Sequence, residues 1–223
     1  MTKLNFIHRF IPSSKIKSKD LDYSNTTGEL QSHPICLMLL HGTGGDENDL
    51  VPVGQMLSAD ASLLSLRGKV LENGMPRFFR RLSEGVFDLE DLKFRTQELA
   101  KFVKDASQLY PFSLDKTIAV GFSNGANMAT SLLLSNPEVI KGAILFRAMI
   151  PFIPAELPNL KNKEILLSSG LMDPIVSRDE IVRLSELLQK CGASVTLKWQ
   201  QSGHNLIESD IIYAKEWLSK KYQ

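Results

Sequence analysis

The feature that most constrains this chain is a series of short apolar runs, most of them separated by helix patterns. "ICLMLL" (35–40) is continuous and of strand length, as expected of a strand buried on both faces. "TIAV" (117–120), "GAILF" (142–146), "EILLSS" (164–169) and "SVTLKW" (194–199) read as further strands, joined by "NFIHRFI" (5–11) and "SLLSLRG" (62–68). Helix patterns lie between them. A short one covers 50–57. A longer one is capped by Asp88 and carries Leu92, Leu99, Phe102, Val103 and Ala106 on one face. "ANMATSLLL" (126–134) stops at Asn136-Pro137. Ser177 and Glu180 form a capping box before "IVRLSELLQK", which Gly192 ends. A last helix, 206–221, groups Ile207, Ile211, Ala214 and Leu218.

Strands alternating with helices predict an α/β fold: a mostly parallel, doubly wound sheet with helices on both faces. No linker, repeat or low-complexity tract divides the chain, so residues 1–223 are read as one domain. Residues 148–163 are short and proline-rich, which leaves no room for a separate lid domain. Residues 12–33 are read as a polar loop or hairpin turning at Thr27-Gly28, and 69–87 as a long loop of functional character.

Charge excludes some partners. Lysine and arginine number 26 against 25 acidic residues, so the chain carries no footprint for nucleic acid or an anionic membrane. The basic stretch "SSKIKSK" (13–19) is read as solvated. No segment reaches membrane-spanning length and the N-terminus has no signal-peptide core, so a cytoplasmic location without membrane insertion is expected. Cys36 and Cys191 have neither zinc-site nor CxxC spacing, and no metal is expected.

Within this frame "GFSNG" (121–125) raises a chemical question, since a serine stands between two glycines where a strand meets a helix. Strand–G-x-S-x-G–helix is the context of a nucleophile elbow, in which the serine sits on a sharp turn that flanking side chains would obstruct. A serine hydroxyl needs a base. Of the four histidines, His8 lies in a strand and reads as a packing or surface residue. His33 lies in a polar loop, and His41 ends a strand and supports a turn. His204, in "QSGHNL" between the last strand and last helix, is where this chain order puts the base. The orienting acid follows a strand between them. Asp173 in "SGLMDPIV" fits, whereas its rival Asp179 is explained by compensation of a helix dipole. Oxyanion donors are expected from the N–H of Asn124 and from the glycine-rich loop "LLHGTGGDEND" (39–49), with Thr43 preferred and Gly44 next. That loop lacks the Walker spacing and a lysine, which argues against a phosphate cradle.

"LLHGTGGDENDL", "GFSNGANMA", "SGLMDPIV" and "SGHNL" together resemble the phospholipase/carboxylesterase family of small α/β-hydrolases, from about residue 35 onward. The resemblance implies an α/β-hydrolase fold, a Ser123–Asp173–His204 triad, oxyanion donors at Thr43 and Asn124, and no cofactor. Thioesterase members carry glutamine after the serine and leucine in the HG-x-G loop. With Asn124 and Thr43 at those positions, this chain looks more like the bacterial carboxylesterase branch. The expected activity is hydrolysis of small carboxylic esters through an acyl-enzyme. The alternatives are a thioesterase or lysophospholipase with the same triad, and a non-catalytic receptor. A homodimer stays open. Substrate-pocket candidates are Gly44, Met75, Phe78 and Phe79, with Arg80 (or Arg81) and Arg147 for an anionic group. Pairing of Arg147 with a structural carboxylate is the competing reading.

Overall fold

The computed structural model of the protein describes residues 4–16 and 34–222. The Thr27-Gly28 turn and His33 lie outside the described residues. Eleven strands and five α-helices follow in chain order among them. They are β1 (His8–Ile11), β2 (Cys36–Leu40), α1 (Val51–Leu57), β3 (Ser62–Leu66), β4 (Val70–Glu72), β5 (Met75–Arg77), β6 (Arg81–Ser83) and β7 (Val86–Phe87). Then come α2 (Leu89–Ser107), β8 (Thr117–Phe122), α3 (Asn124–Ser135), β9 (Gly142–Phe146), β10 (Glu164–Gly170), α4 (Arg178–Lys190), β11 (Ser194–Gln200) and α5 (Glu208–Tyr222).

Seven strands form one sheet in the order β1-β3-β2-β8-β9-β10-β11. Only the edge strand β1 runs antiparallel, pairing with β3. The central β2 is buried at all five positions, and its side chains divide by parity. Cys36, Met38 and Leu40 join the core under α2, α3 and α4, while Leu37 and Leu39 join the core under α1 and α5. A strand covered on both faces has no polar face to show, which is why "ICLMLL" lacks alternation. The fold is thus a doubly wound α/β-hydrolase sheet. Residues 149–163 contain no helix or strand, and no lid domain rises from them.

Helix boundaries follow local chemistry. Asp88 caps α2 by accepting from the Asp91 N–H at 3.1 Å, a contact that contributes about 1 kcal/mol at such positions. Ser177 caps α4 in the same way, from the Glu180 N–H. The reciprocal half of the expected capping box is absent. Glu180 Oε1 instead accepts from the Ile150 N–H at 3.0 Å, tying α4 to the segment after β9.

Residues 69–87 are not a loop. They form two hairpins, β4–β5 and β6–β7. Between β4 and β5 lie only Asn73 (φ 51°) and Gly74 (φ 81°). Two successive residues at positive φ make the tight turn whose twist suits a hairpin, and Asn-Gly is its favoured sequence. The strands are too short for a period of two to stand out.

Candidate active site

The sheet reverses its winding between β2 and β8. From β2 the chain crosses through α1 to β3 on one side. From β8 it crosses through α3 to β9 on the other, over the opposite face. A crevice opens at the carboxyl ends of the strands at such a switch point. The loop after β2 carries Thr43, and β8 runs straight into Ser123.

The turn at Ser123 is one residue long. β8 ends at Phe122 and α3 begins at Asn124, so Ser123 alone takes the bend, at φ 51° and ψ −112°. A non-glycine residue there costs on the order of 1–3 kcal/mol and persists only where its surroundings hold it. Here the Ser123 N–H donates to the Phe146 carbonyl (2.9 Å), and the Ser123 carbonyl accepts from the Asn127 N–H (2.9 Å). The two glycines have a steric reason. A Cβ on Gly125 would stand 2.0 Å from the Leu40 carbonyl oxygen, and one on Gly121 would stand 2.6 Å from the backbone of Ala126.

Three side chains from three loops meet over this turn. His204 Nε2 lies 2.8 Å from Ser123 Oγ, and His204 Nδ1 lies 2.8 Å from Asp173 Oδ2. The other carboxylate oxygen, Asp173 Oδ1, accepts from the N–H groups of Ile175 (2.8 Å) and Val176 (3.0 Å). Asp173 is almost fully buried, while His204 keeps partial access to solvent. Asp179 stands in the first turn of α4, where its charge faces the helix dipole. The arrangement can move a proton from the serine hydroxyl to an imidazole whose other nitrogen is held by a carboxylate.

Two N–H groups are free to meet an oxyanion. The Asn124 N–H opens α3 and has no intrahelical acceptor. The Thr43 N–H has no acceptor among the described residues. Gly44 differs: its N–H is taken by the Pro76 carbonyl at 2.9 Å, so it is not a donor, and its backbone sits at φ 87°. The Asn124 side chain accepts from the Phe78 N–H at 2.8 Å and so joins the elbow to the end of the first hairpin. His41 supports the loop after β2. Its Nε2 accepts from the Gly68 N–H at 2.9 Å, and burial pushes its pKa below the ordinary histidine value.

A cleft of about 220 Å³ lies above Ser123 and His204. Phe87, Phe122, Met149 and Ile175 supply its apolar lining, and Arg77, Arg81 and Asn127 supply polar groups. A second hollow, about 500 Å³, at Ser177, Asp179, Val182 and Arg183 contains none of the catalytic candidates.

Several pocket expectations need correction. Phe78 (2% exposed) and Phe79 (0%) belong to the main core, because the hairpin turns them inward against the sheet. Met75 lies over Gly44 and outside the cleft lining. Arg80 is exposed and paired with Asp88, away from the cleft. Arg147 borders the cleft, but its side chain is fully buried. Its guanidinium is spent on Asp210 (2.7 and 3.0 Å), the Ser168 carbonyl, Ser202 Oγ, and the carbonyls of Gly203 (3.1 Å) and Asn205 (2.7 Å). It therefore binds no substrate anion. It clamps the backbone on both sides of His204. Removing Asp210 leaves that guanidinium buried without a counter-charge, so Asp210→Ala is expected to lower stability by about 3–5 kcal/mol in urea unfolding. Ser202→Ala, which removes a single neutral acceptor, is expected to cost about 1 kcal/mol in the same measurement.

Arg77 was not singled out from sequence for the cleft, and Arg81 was named only as the alternative to Arg80. "PRFFRR" sets three arginines and two phenylalanines in a row of six, and only the hairpin register distinguishes those that face the serine.

Known proteins are similar to this chain in sequence and in fold. The phospholipase/carboxylesterase family model matches residues 26–222. MhqD of Bacillus subtilis (strain 168), named as a hydrolase by similarity, is 48% identical over 184 residues, covering 82% of this chain and 92% of its own length. The crystal structure of the Bacillus cereus carboxylesterase superposes with a TM-score of 0.87 at 43% identity, over 97% of this chain and 95% of that one. A carboxylesterase from Mesorhizobium loti superposes with a TM-score of 0.80 at 30% identity, over 85% of this chain and 90% of that one.

Proposed function

The chain belongs to the phospholipase/carboxylesterase family and is an esterase-type hydrolase; from that premise we propose that it cleaves small carboxylic esters through a Ser123 acyl-enzyme. The observation that carries this reading is the continuous chain of hydrogen-bond distances Ser123 Oγ–His204–Asp173. Ser123 Oγ attacks the ester carbonyl while its proton passes to His204 Nε2. The N–H groups of Thr43 and Asn124 receive the negative oxygen. His204 then returns the proton to the departing alcohol, and the acyl–oxygen bond breaks. Water repeats the sequence: it attacks the acyl-enzyme, His204 takes its proton, and the serine recovers that proton as the acid leaves. Asp173 holds the imidazole with Nδ1 protonated, so that Nε2 is the acceptor.

The size of the cleft favours a small acyl group over the long chain of a lysophospholipid. No helix among the described residues is long and apolar enough to cross a membrane. The test is covalent. A fluorophosphonate is expected to add one equivalent to the protein, with the adduct on the peptide containing Ser123 by mass spectrometry. A protein that hydrolyses esters but is labelled at another serine would overturn the assignment.

A further inference from the structure

Two guanidinium groups line the cleft beside the candidate nucleophile, with one carboxylate between them. Arg77 ends β5 and is 3% exposed; Arg81 begins β6 and is partly exposed. Glu72 accepts from Arg77 Nη1 through one oxygen (3.3 Å) and from Arg81 Nε through the other (2.9 Å). Arg77 Nη1 also donates to Thr43 Oγ1 at 2.7 Å, and Arg77 Nε to the Phe79 carbonyl at 3.3 Å. Arg77 Nη2 and both terminal nitrogens of Arg81 are left without an acceptor among the described residues. None of these three nitrogens is sealed from solvent.

The electrostatic balance is incomplete as well. Burial, and then the like charge of Arg81, pushes the Arg77 pKa below the ordinary arginine value. The hydrogen bond from Arg81 holds the Glu72 carboxyl low in spite of partial burial, so Glu72 stays charged and is already shared. Glu84 is the other acidic residue at the cleft. It sits on the exposed β6–β7 turn, where solvent and salt screen it. A buried guanidinium with an unspent N–H edge and a like-charged neighbour is matched by an incoming anion, and a carboxylate fits the planar fork of arginine.

We propose that Arg77 and Arg81 form a subsite for a free carboxylate on the substrate, so that the preferred substrates are small acidic esters. This rests on the reading of Ser123 as an ester-hydrolysing nucleophile. The contact of Arg77 with Thr43 joins the subsite to the oxyanion loop, so an acidic substrate docks against the element that receives the negative oxygen.

Matched esters test it. p-Nitrophenyl hemisuccinate and p-nitrophenyl butyrate differ by a carboxylate on the acyl side. p-Acetoxybenzoate and phenyl acetate differ by one on the leaving side. The acidic member of at least one pair is expected to show a kcat/KM about tenfold to a hundredfold higher, mainly through KM, as for a charge-assisted hydrogen bond. Arg81→Gln is expected to bring that ratio close to one, and added salt to reduce it. Arg80→Gln removes an equal charge outside the cleft and is expected to leave the ratio as it was. Parity in both pairs, or a ratio that Arg81→Gln does not move, would overturn the subsite. Calorimetry separates this from failure of the catalytic reading. The inert amide succinamate is expected to bind Ser123→Ala more tightly than butyramide, and equal binding would overturn the subsite. If no ester is hydrolysed yet succinamate is preferred, the subsite stands and the esterase chemistry falls.

Discussion

Replacing Ser123 with alanine is expected to lower kcat for ester hydrolysis by roughly 10⁴–10⁶-fold while changing KM little, as when a covalent nucleophile is deleted from a serine hydrolase. The variant loses only Oγ. Both proposed oxyanion donors are backbone groups, of Thr43 and Asn124, and the cleft walls are untouched. Alanine carries the same Cβ as serine, so the strained backbone at φ 51° is no harder to hold. What survives is the fraction of catalysis due to binding and oxyanion stabilisation. Steady-state kinetics on a p-nitrophenyl ester, with thermal unfolding to verify the fold, provide the measurement. A variant within about tenfold of the parent kcat would be incompatible with a covalent role for Ser123.

Asp173→Asn is expected to lower kcat by roughly 10⁴-fold, the size of effect the corresponding aspartate-to-asparagine change has in a serine protease. The reason can be traced atom by atom. Asp173 Oδ1 accepts from two backbone N–H groups, Ile175 and Val176, and that end of the side chain cannot present a donor to them. An asparagine therefore keeps its oxygen there and turns its NH₂ toward His204 Nδ1, 2.8 Å away in the parent. Two donors then face each other, and the imidazole moves its proton to Nε2. In that tautomer Nε2 cannot accept from Ser123. The charge that stabilises the imidazolium is lost at the same time. Asp179→Asn, on the first turn of α4, is expected to leave kcat within about twofold and to cost a fraction of a kcal/mol of stability. The reverse ranking of the two variants would identify Asp179 as the orienting acid.

Much of this was legible along the chain. β9 has the bounds that "GAILF" suggested, and α2 begins directly after its Asp88 cap. Both depend on neighbours within a few residues. Ser123, Asp173 and His204 were legible because each follows a strand, and loops after parallel strands collect at one end of the sheet. The cleft walls were harder. Residues 69–87 look like loop, although Asn73-Gly74 is a hairpin signal that the short flanking strands conceal.

The sequence by itself determined the layered α/β architecture, the elbow and the order of the catalytic candidates. Apolar runs, caps and glycines act through local sterics and burial, which leave a mark at each position. The tertiary structure alone decided the fate of the arginines. Arg147 at the end of β9 and Arg77 at the end of β5 look alike in sequence. One is closed in by Asp210 and the carbonyls around His204; the other keeps an edge open to the cleft. The difference lies in partners 63 residues away for one and 34 for the other. A side chain's free hydrogen-bonding capacity depends on everything that packs around it, and no pattern within its own segment records that.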